Sequence, residues 1–130
     1  DLVWWILADA LRDSDARVSS TAGLVLEYFS KNNPRNVNWE PAINTLFYLI
    51  NGTNLFAFNT VLKVLSSTKV SEYLVPKMFS QTNGYLILSY LKANHEIEKN
   101  LAHDFLVNIT GKDFGYNIAK WENYLVNLTK

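Results

Sequence analysis

Cysteine is absent from this 130-residue sequence, so a disulfide framework, a thiolate zinc site and a cysteine nucleophile are all excluded. An excess of charge of either sign is missing too. Twelve Lys and Arg residues cancel twelve Asp and Glu residues, and each half of the chain is near balance, which leaves no overall field to attract nucleic acid or anionic lipid. Long apolar runs are also missing. Hydrophobic residues make up 48% of the chain, yet no run approaches the roughly 18 residues of a membrane span. The composition therefore argues against a nucleic-acid partner and against membrane insertion.

The motifs of common catalysis are lacking as well. There is no Gly-x-Ser-x-Gly, no Walker-type loop, no Rossmann glycine pattern and no His-Glu-x-x-His, so hydrolysis, nucleotide binding and zinc proteolysis lack their minimum parts. Asp113-Phe114-Gly115 matches the magnesium-binding triplet of protein kinases, but without the Gly-rich and catalytic loops it reads as a loop after a helix, with Phe114 tucked inward. Asn51-Gly52-Thr53, Asn108-Ile109-Thr110 and Asn127-Leu128-Thr129 satisfy the N-glycosylation pattern, as chance matches do in an Asn-rich chain. The expectation is no catalytic centre, no cofactor and no bound metal.

Helical periodicity is what the chain does have. Val3, Ile6, Leu7, Ala10 and Leu11 form one apolar stripe, and Val18, Ala22, Val25, Leu26 and Phe29 form the next after an Asp/Ser start suited to capping. Asn32, Asn33, Pro34, Arg35, Asn36 and Asn38 make a linker. A third helix is expected after Asn38 as cap, with Pro41 in its first turn and Ile43, Leu46, Phe47 and Ile50 as its stripe. After the turn Asn51–Asn54, Phe58, Val61, Leu62 and Leu65 mark a fourth. Pro76 limits any helix in 71–80. Beyond Asn83-Gly84, Tyr85 to Lys92 reads as a helix in preference to a buried strand. Ile97, Leu101, Phe105 and Ile109 give a long helix ended by Gly111, and Ile118, Trp121, Leu125 and Leu128 give the last. The count is about eight helices, expected to form an all-α chain with no β-sheet.

Turns at Asp13–Asp15, Asn51–Asn54 and Asn94–His95 recur about every 40 residues, the spacing of two-helix repeats. The run Leu11-Arg12-Asp13-Ser14-Asp15-Ala16-Arg17-Val18-Ser19-Ser20-Thr21-Ala22 resembles the turn and second helix of a HEAT repeat: Asp15 can cap, Val18 can enter the core, and Ala22 and Gly23 permit close approach. Ile109-Thr110-Gly111-Lys112-Asp113-Phe114-Gly115-Tyr116, followed by Trp121, is similar to the closing segment of bacterial HEAT-repeat domains. The resemblance covers about a quarter of the chain, at its two ends. It implies a HEAT/armadillo-like α-α superhelix of antiparallel pairs, in one domain over 1–130. Residues 39–93 carry no such signature and admit two registers. One pairs 39–50 with 55–66 and leaves 71–80 as an extra helix, and the other pairs 71–80 with 84–93. His95-Glu96 resembles half of the His-Glu pairs by which some HEAT-repeat hydroxylases bind iron, but a metal site needs several such pairs.

Trp4, Trp5, Trp39 and Trp121 sit near helix ends and are expected in the core, although the adjacent Trp4 and Trp5 cannot share one stripe. The structural cap at the C-terminus is expected from Gly111, Phe114, Gly115, Tyr116 and Trp121. Function then follows by analogy: a non-catalytic protein-interaction scaffold whose partner surface comes from Ser19, Ser20, Glu27, Asn59, Lys63, Lys99 and His103. The alternative is a spacer or capping segment of a larger multidomain enzyme or exported protein, since the chain opens at Asp1 rather than Met and is expected to be processed or part of a longer one. The residues leave the partner's identity and the compartment, cytoplasmic or exported, open.

Overall fold

The computed structural model describes residues 1–32, 35–52, 54–80, 82 and 84–128. Asn33 and Pro34 of the linker, Thr53 of a turn and a glycosylation pattern, Asn83 of the Asn-Gly turn and Thr129 of the last glycosylation pattern lie outside them. The chain is all-α, with eight α-helices among the described residues.

The first pair is α1 (Leu2–Ala10) and α2 (Ala16–Asn32). Asp13 Oδ1 accepts the Asp15 amide at 2.8 Å and Asp15 Oδ1 accepts the Arg17 amide at 2.9 Å, so the acidic turn caps α2 as its sequence indicates. The buried faces match the expected stripes in part: Leu11, Ala22 and Leu26 are buried as expected. Trp4, Ala8 and Leu11 point into the core from the α1 segment, while Val3 and Ile6 are exposed. On α2 the buried residues are Ser19, Ala22, Gly23, Leu26 and Ser30, whereas Val18 and Phe29 face outward. The reason is close packing: a Cβ on Gly23 would lie 3.1 Å from the Phe56 ring, so only small residues fit there. Ser19 and Ser30 hydroxyls donate to the Ala16 and Glu27 carbonyls of their own helix, which satisfies them where they are buried.

Asn38 Oδ1 accepts the Glu40 amide at 3.2 Å and opens a 3-10 turn, Glu40–Ala42, with Pro41 inside it; α3 (Ile43–Ile50) continues from there. Asn54 caps α4 (Leu55–Ser67) by accepting the Ala57 amide. A 3-10 turn, Glu72–Leu74, runs into the one-turn α5 (Val75–Met78), with Pro76 in its first turn, where a missing amide costs no intrahelical bond. Tyr85–Leu91 is helix α6, not strand. Then come α7 (Glu96–Thr110), closed by Gly111 at φ 70°, and α8 (Ile118–Leu128), capped by Asn117 Oδ1 on the Lys120 amide at 3.1 Å. Ile97, expected on the inner stripe of α7, is exposed at the first turn, and Ala102, Phe105, Leu106 and Ile109 form the buried face.

Beside the helices runs one very short ladder. Arg35–Asn36 (β1) pairs in parallel with Thr68–Lys69 (β2), a ladder of two residues each. It arises because α2 and α4 lie side by side, and the segments leaving them run on together. The same spot is pinned by Trp39, whose buried indole donates to Thr68 Oγ1 at 3.1 Å, while Thr68 donates to the Val64 carbonyl at 3.0 Å.

α4 is the centre of the molecule. It packs on α2 on one side and α7 on the other; α1 pairs with α2, α3 with α4, and α6 with both α7 and α8. The first register therefore describes 39–93: 39–50 packs with 55–66, and α5 is the extra turn, seated on α3. One apolar core runs through these contacts, with Trp39, Phe58, Phe79, Phe105 and Trp121 among its fully buried side chains.

Candidate functional site

Three of the seven polar residues expected to face a partner, Glu27, Asn59 and Lys63, instead tie helices to one another. Ser19 is buried, which removes it from any surface and corrects its assignment. Glu27 Oε1 accepts the Thr60 hydroxyl of α4 at 3.1 Å and lies 3.8 Å from Lys63 Nζ, so Glu27 and Lys63 brace α2 against α4. Asn59 accepts the Tyr90 hydroxyl at 2.6 Å, linking α4 to α6. Burial pushes the Tyr90 pKa up, the Glu98 charge adds to this, and the Asn59 contact works against it. Ser20 remains exposed on α2.

Lys99 and His103 meet the C-terminal cap residues in one cluster. His103 Nε2 lies 2.9 Å from Asp113 Oδ1 and Nδ1 lies 3.4 Å from Asp104. The Tyr116 ring stacks on His103 with centroids 5.0 Å apart, its hydroxyl donates to Asn100, and Lys99 Nζ sits 5.2 Å from its centre. The His103 contact, followed by the Gly115 amide at 2.8 Å, holds the Asp113 carboxyl below its usual range. A His-Asp pair is the core of many acid-base sites, but here both ring nitrogens face carboxylates, so neither is presented to a reacting group. The cluster fastens a loop.

Trp121, Phe114 and Gly115 build the cap. Trp121 is fully buried, its indole donates to the Gly115 carbonyl at 2.9 Å, and Phe114 meets it edge-on at 4.8 Å. Gly115, at φ 58°, makes the bend. Tyr116, expected among the cap residues, lies outside on α7 instead.

Sequence reasoning missed the exposed apolar face of α2. Leu24 and Tyr28, i and i+4, are 67% and 64% exposed, and Phe56, half exposed at the start of α4, rests its ring against the adjacent Gly23. Their spacing was legible, but the stronger stripe beside it drew the assignment. At the end of the molecule a groove of about 540 Å³ between α1 and α2 is lined by Leu7, Ala10, Val18, Thr21, Ala22 and Val25, with Asp15 and Arg17.

In two of the glycosylation patterns the Asn amide is engaged in the fold. The half-buried Asn51 amide donates to the Phe47 and Met78 carbonyls, and the amide of Asn108, an exposed residue, donates to the Leu65 carbonyl. Among the described residues, no group of three His, Asp or Glu side chains is placed to hold a metal, and no helix is long and apolar enough to cross a membrane. Comparison with protein-family models, curated proteins and solved structures finds no match.

Proposed function

We propose that the chain is a non-catalytic helical module that binds a protein partner through the outward face of α2. The observation that carries this reading is the pair Leu24 and Tyr28, left in water on a helix whose opposite face is fully packed, with Ser20 one turn before them and Phe56 beside Gly23. Apolar and aromatic side chains grouped on a surface are the usual anchors of a protein interface. The three pairs α1/α2, α3/α4 and α6/α7 are joined by the three turns that recur in the sequence, which supports a HEAT-like stack closed by α8.

A second reading, a spacer or capping segment within a larger enzyme or exported protein, is favoured by α1. Val3 and Ile6 are exposed while Trp4, Ala8 and Leu11 are buried, so the helix is apolar around most of its circumference, as helices covered on two sides are. Site-specific photo-crosslinking in the native organism separates the two. A photoreactive residue at position 24 or 28 is expected to capture one discrete protein, and one at exposed Lys120 is not. Capture from positions 3 and 6 alone would replace the first reading with the second.

A further inference from the structure

The C-terminal cap is fastened to α7 through a titratable side chain, and we propose that His103 is a pH-sensitive latch for the loop of residues 111–117. The contacts that hold that loop on α7 include His103 to Asp113 at 2.9 Å, the Tyr116 hydroxyl to Asn100, the Tyr116 ring on His103 and the Lys112 amide to Thr110 Oγ1 at 3.1 Å. The loop in turn positions α8, because the Gly115 carbonyl takes the Trp121 indole N–H at 2.9 Å and the Phe114 ring packs on Trp121. Whatever loosens the loop therefore loosens the first turns of α8.

Histidine is the side chain whose ordinary titration falls between pH 5 and 8. The groups facing His103 are Asp104 from α7, and Asp113 and Tyr116 from the loop, with Lys99 of α7 over the Tyr116 ring. A second proton on the imidazole turns the Asp113 contact into an ion pair, gives Asp104 a donor of its own, and sets a cation against the Tyr116 face. Lys99, which approaches the same ring, opposes this in part. Loss of that proton leaves one N–H for two carboxylates. The latch is tight at mildly acidic pH and slack above neutrality. On the acid side it persists until Asp113 is protonated, which the His103 contact delays to below the usual carboxylate range.

Hydrogen exchange of the full chain by NMR at pH 5.5 and 7.5, corrected for intrinsic rates, tests the proposal. Amides of α4 serve as the reference for global opening. Protection of Trp121–Leu125 relative to α4 is expected to fall about two- to fivefold on going to pH 7.5, the scale of an exposed ion pair. His103→Gln keeps a donor without the titration and is expected to abolish the difference. Asp113→Asn keeps an acceptor for the Gly115 amide without the charge, and is expected to show the slack value at both pH values. A flat wild-type profile, or an undiminished pH difference in either variant, overturns the latch.

Discussion

Replacing Trp121 by Ala removes the largest side chain of the cap. The indole is 0% exposed, meets Phe114 at 4.8 Å and Tyr124 at 6.4 Å, and donates to the Gly115 carbonyl. Truncating a buried aromatic to Ala costs about 3–5 kcal/mol, and the lost hydrogen bond places this site in the upper half of that range. For a chain of this length, about 2.1 cal/mol/K of unfolding entropy per residue converts such a loss into a fall in Tm of roughly 10–20 °C. Urea unfolding followed by circular dichroism at 222 nm reads the change directly. Trp121→Phe keeps most of the apolar contact and should lose about half as much, on the same transfer and hydrogen-bond terms. A loss below about 1 kcal/mol for Trp121→Ala, the level of ordinary surface changes, would refute the claim that α8 closes the core.

Thr68→Val keeps the shape but leaves the buried Trp39 indole N–H without its acceptor, so a loss of about 1–3 kcal/mol is expected by urea unfolding. Gly84 and Gly111 both have positive φ, but a Cβ at 84 would meet Leu125 Cδ1 at 2.6 Å while one at 111 meets nothing. Gly111→Ala should therefore cost about 1–2 kcal/mol of backbone strain, and Gly84→Ala clearly more, compared by their unfolding midpoints. Asp15 and Asp113 have depressed pKa values, the first through the Arg17 amide and guanidinium, the second through His103. Their stabilisation is present above the ordinary carboxylate pKa of about 3.9 and is lost as pH falls through the lower folded values. Midpoints measured from pH 5 to pH 2 should therefore fall, and less steeply in Asp113→Asn.

What the sequence revealed was local. Gly111 as helix terminator, Asp15 as a cap and Trp121 as a buried plug each depend on a few adjacent residues. The faces of α1 and α2 were harder to assign. On α1 the expected stripe Val3, Ile6, Leu7, Ala10 and Leu11 and the buried series Trp4, Ala8 and Leu11 both fit a helical period and share Leu11, and tertiary contacts such as Trp4 with Trp39 at 6.2 Å go with the second. On α2 the buried face also carries two serines and a glycine, so hydrophobicity found Ala22 and Leu26 but drew in Val18 and Phe29, which are exposed. The Asn-rich linker gave no strand signal, since its two-residue ladder exists only because Thr68 and Lys69 are brought alongside.

The functional residues were least legible, for a related reason. Glu27, Asn59, Lys63 and His103 were placed on a polar face by period, but polar residues on adjoining helices find one another across 31 to 33 positions of sequence, as Asn59 with Tyr90 and Glu27 with Thr60 do. Such pairs are fixed by packing and carry no sequence signature. Leu24 and Tyr28 show the converse. They satisfy a helical period and lie in water.

The measurement that bears most directly on the binding role is the affinity of the protein captured at positions 24 and 28 for the wild type and for the double variant Leu24→Glu/Tyr28→Ala, by isothermal calorimetry. Both side chains are exposed, so the unfolding midpoint is expected to stay within about 0.5 kcal/mol of wild type. The affinity is expected to fall at least tenfold, about 1.4 kcal/mol, as for loss of an aromatic anchor. Unchanged affinity in a variant of unchanged stability would contradict the assignment of this face as the binding surface.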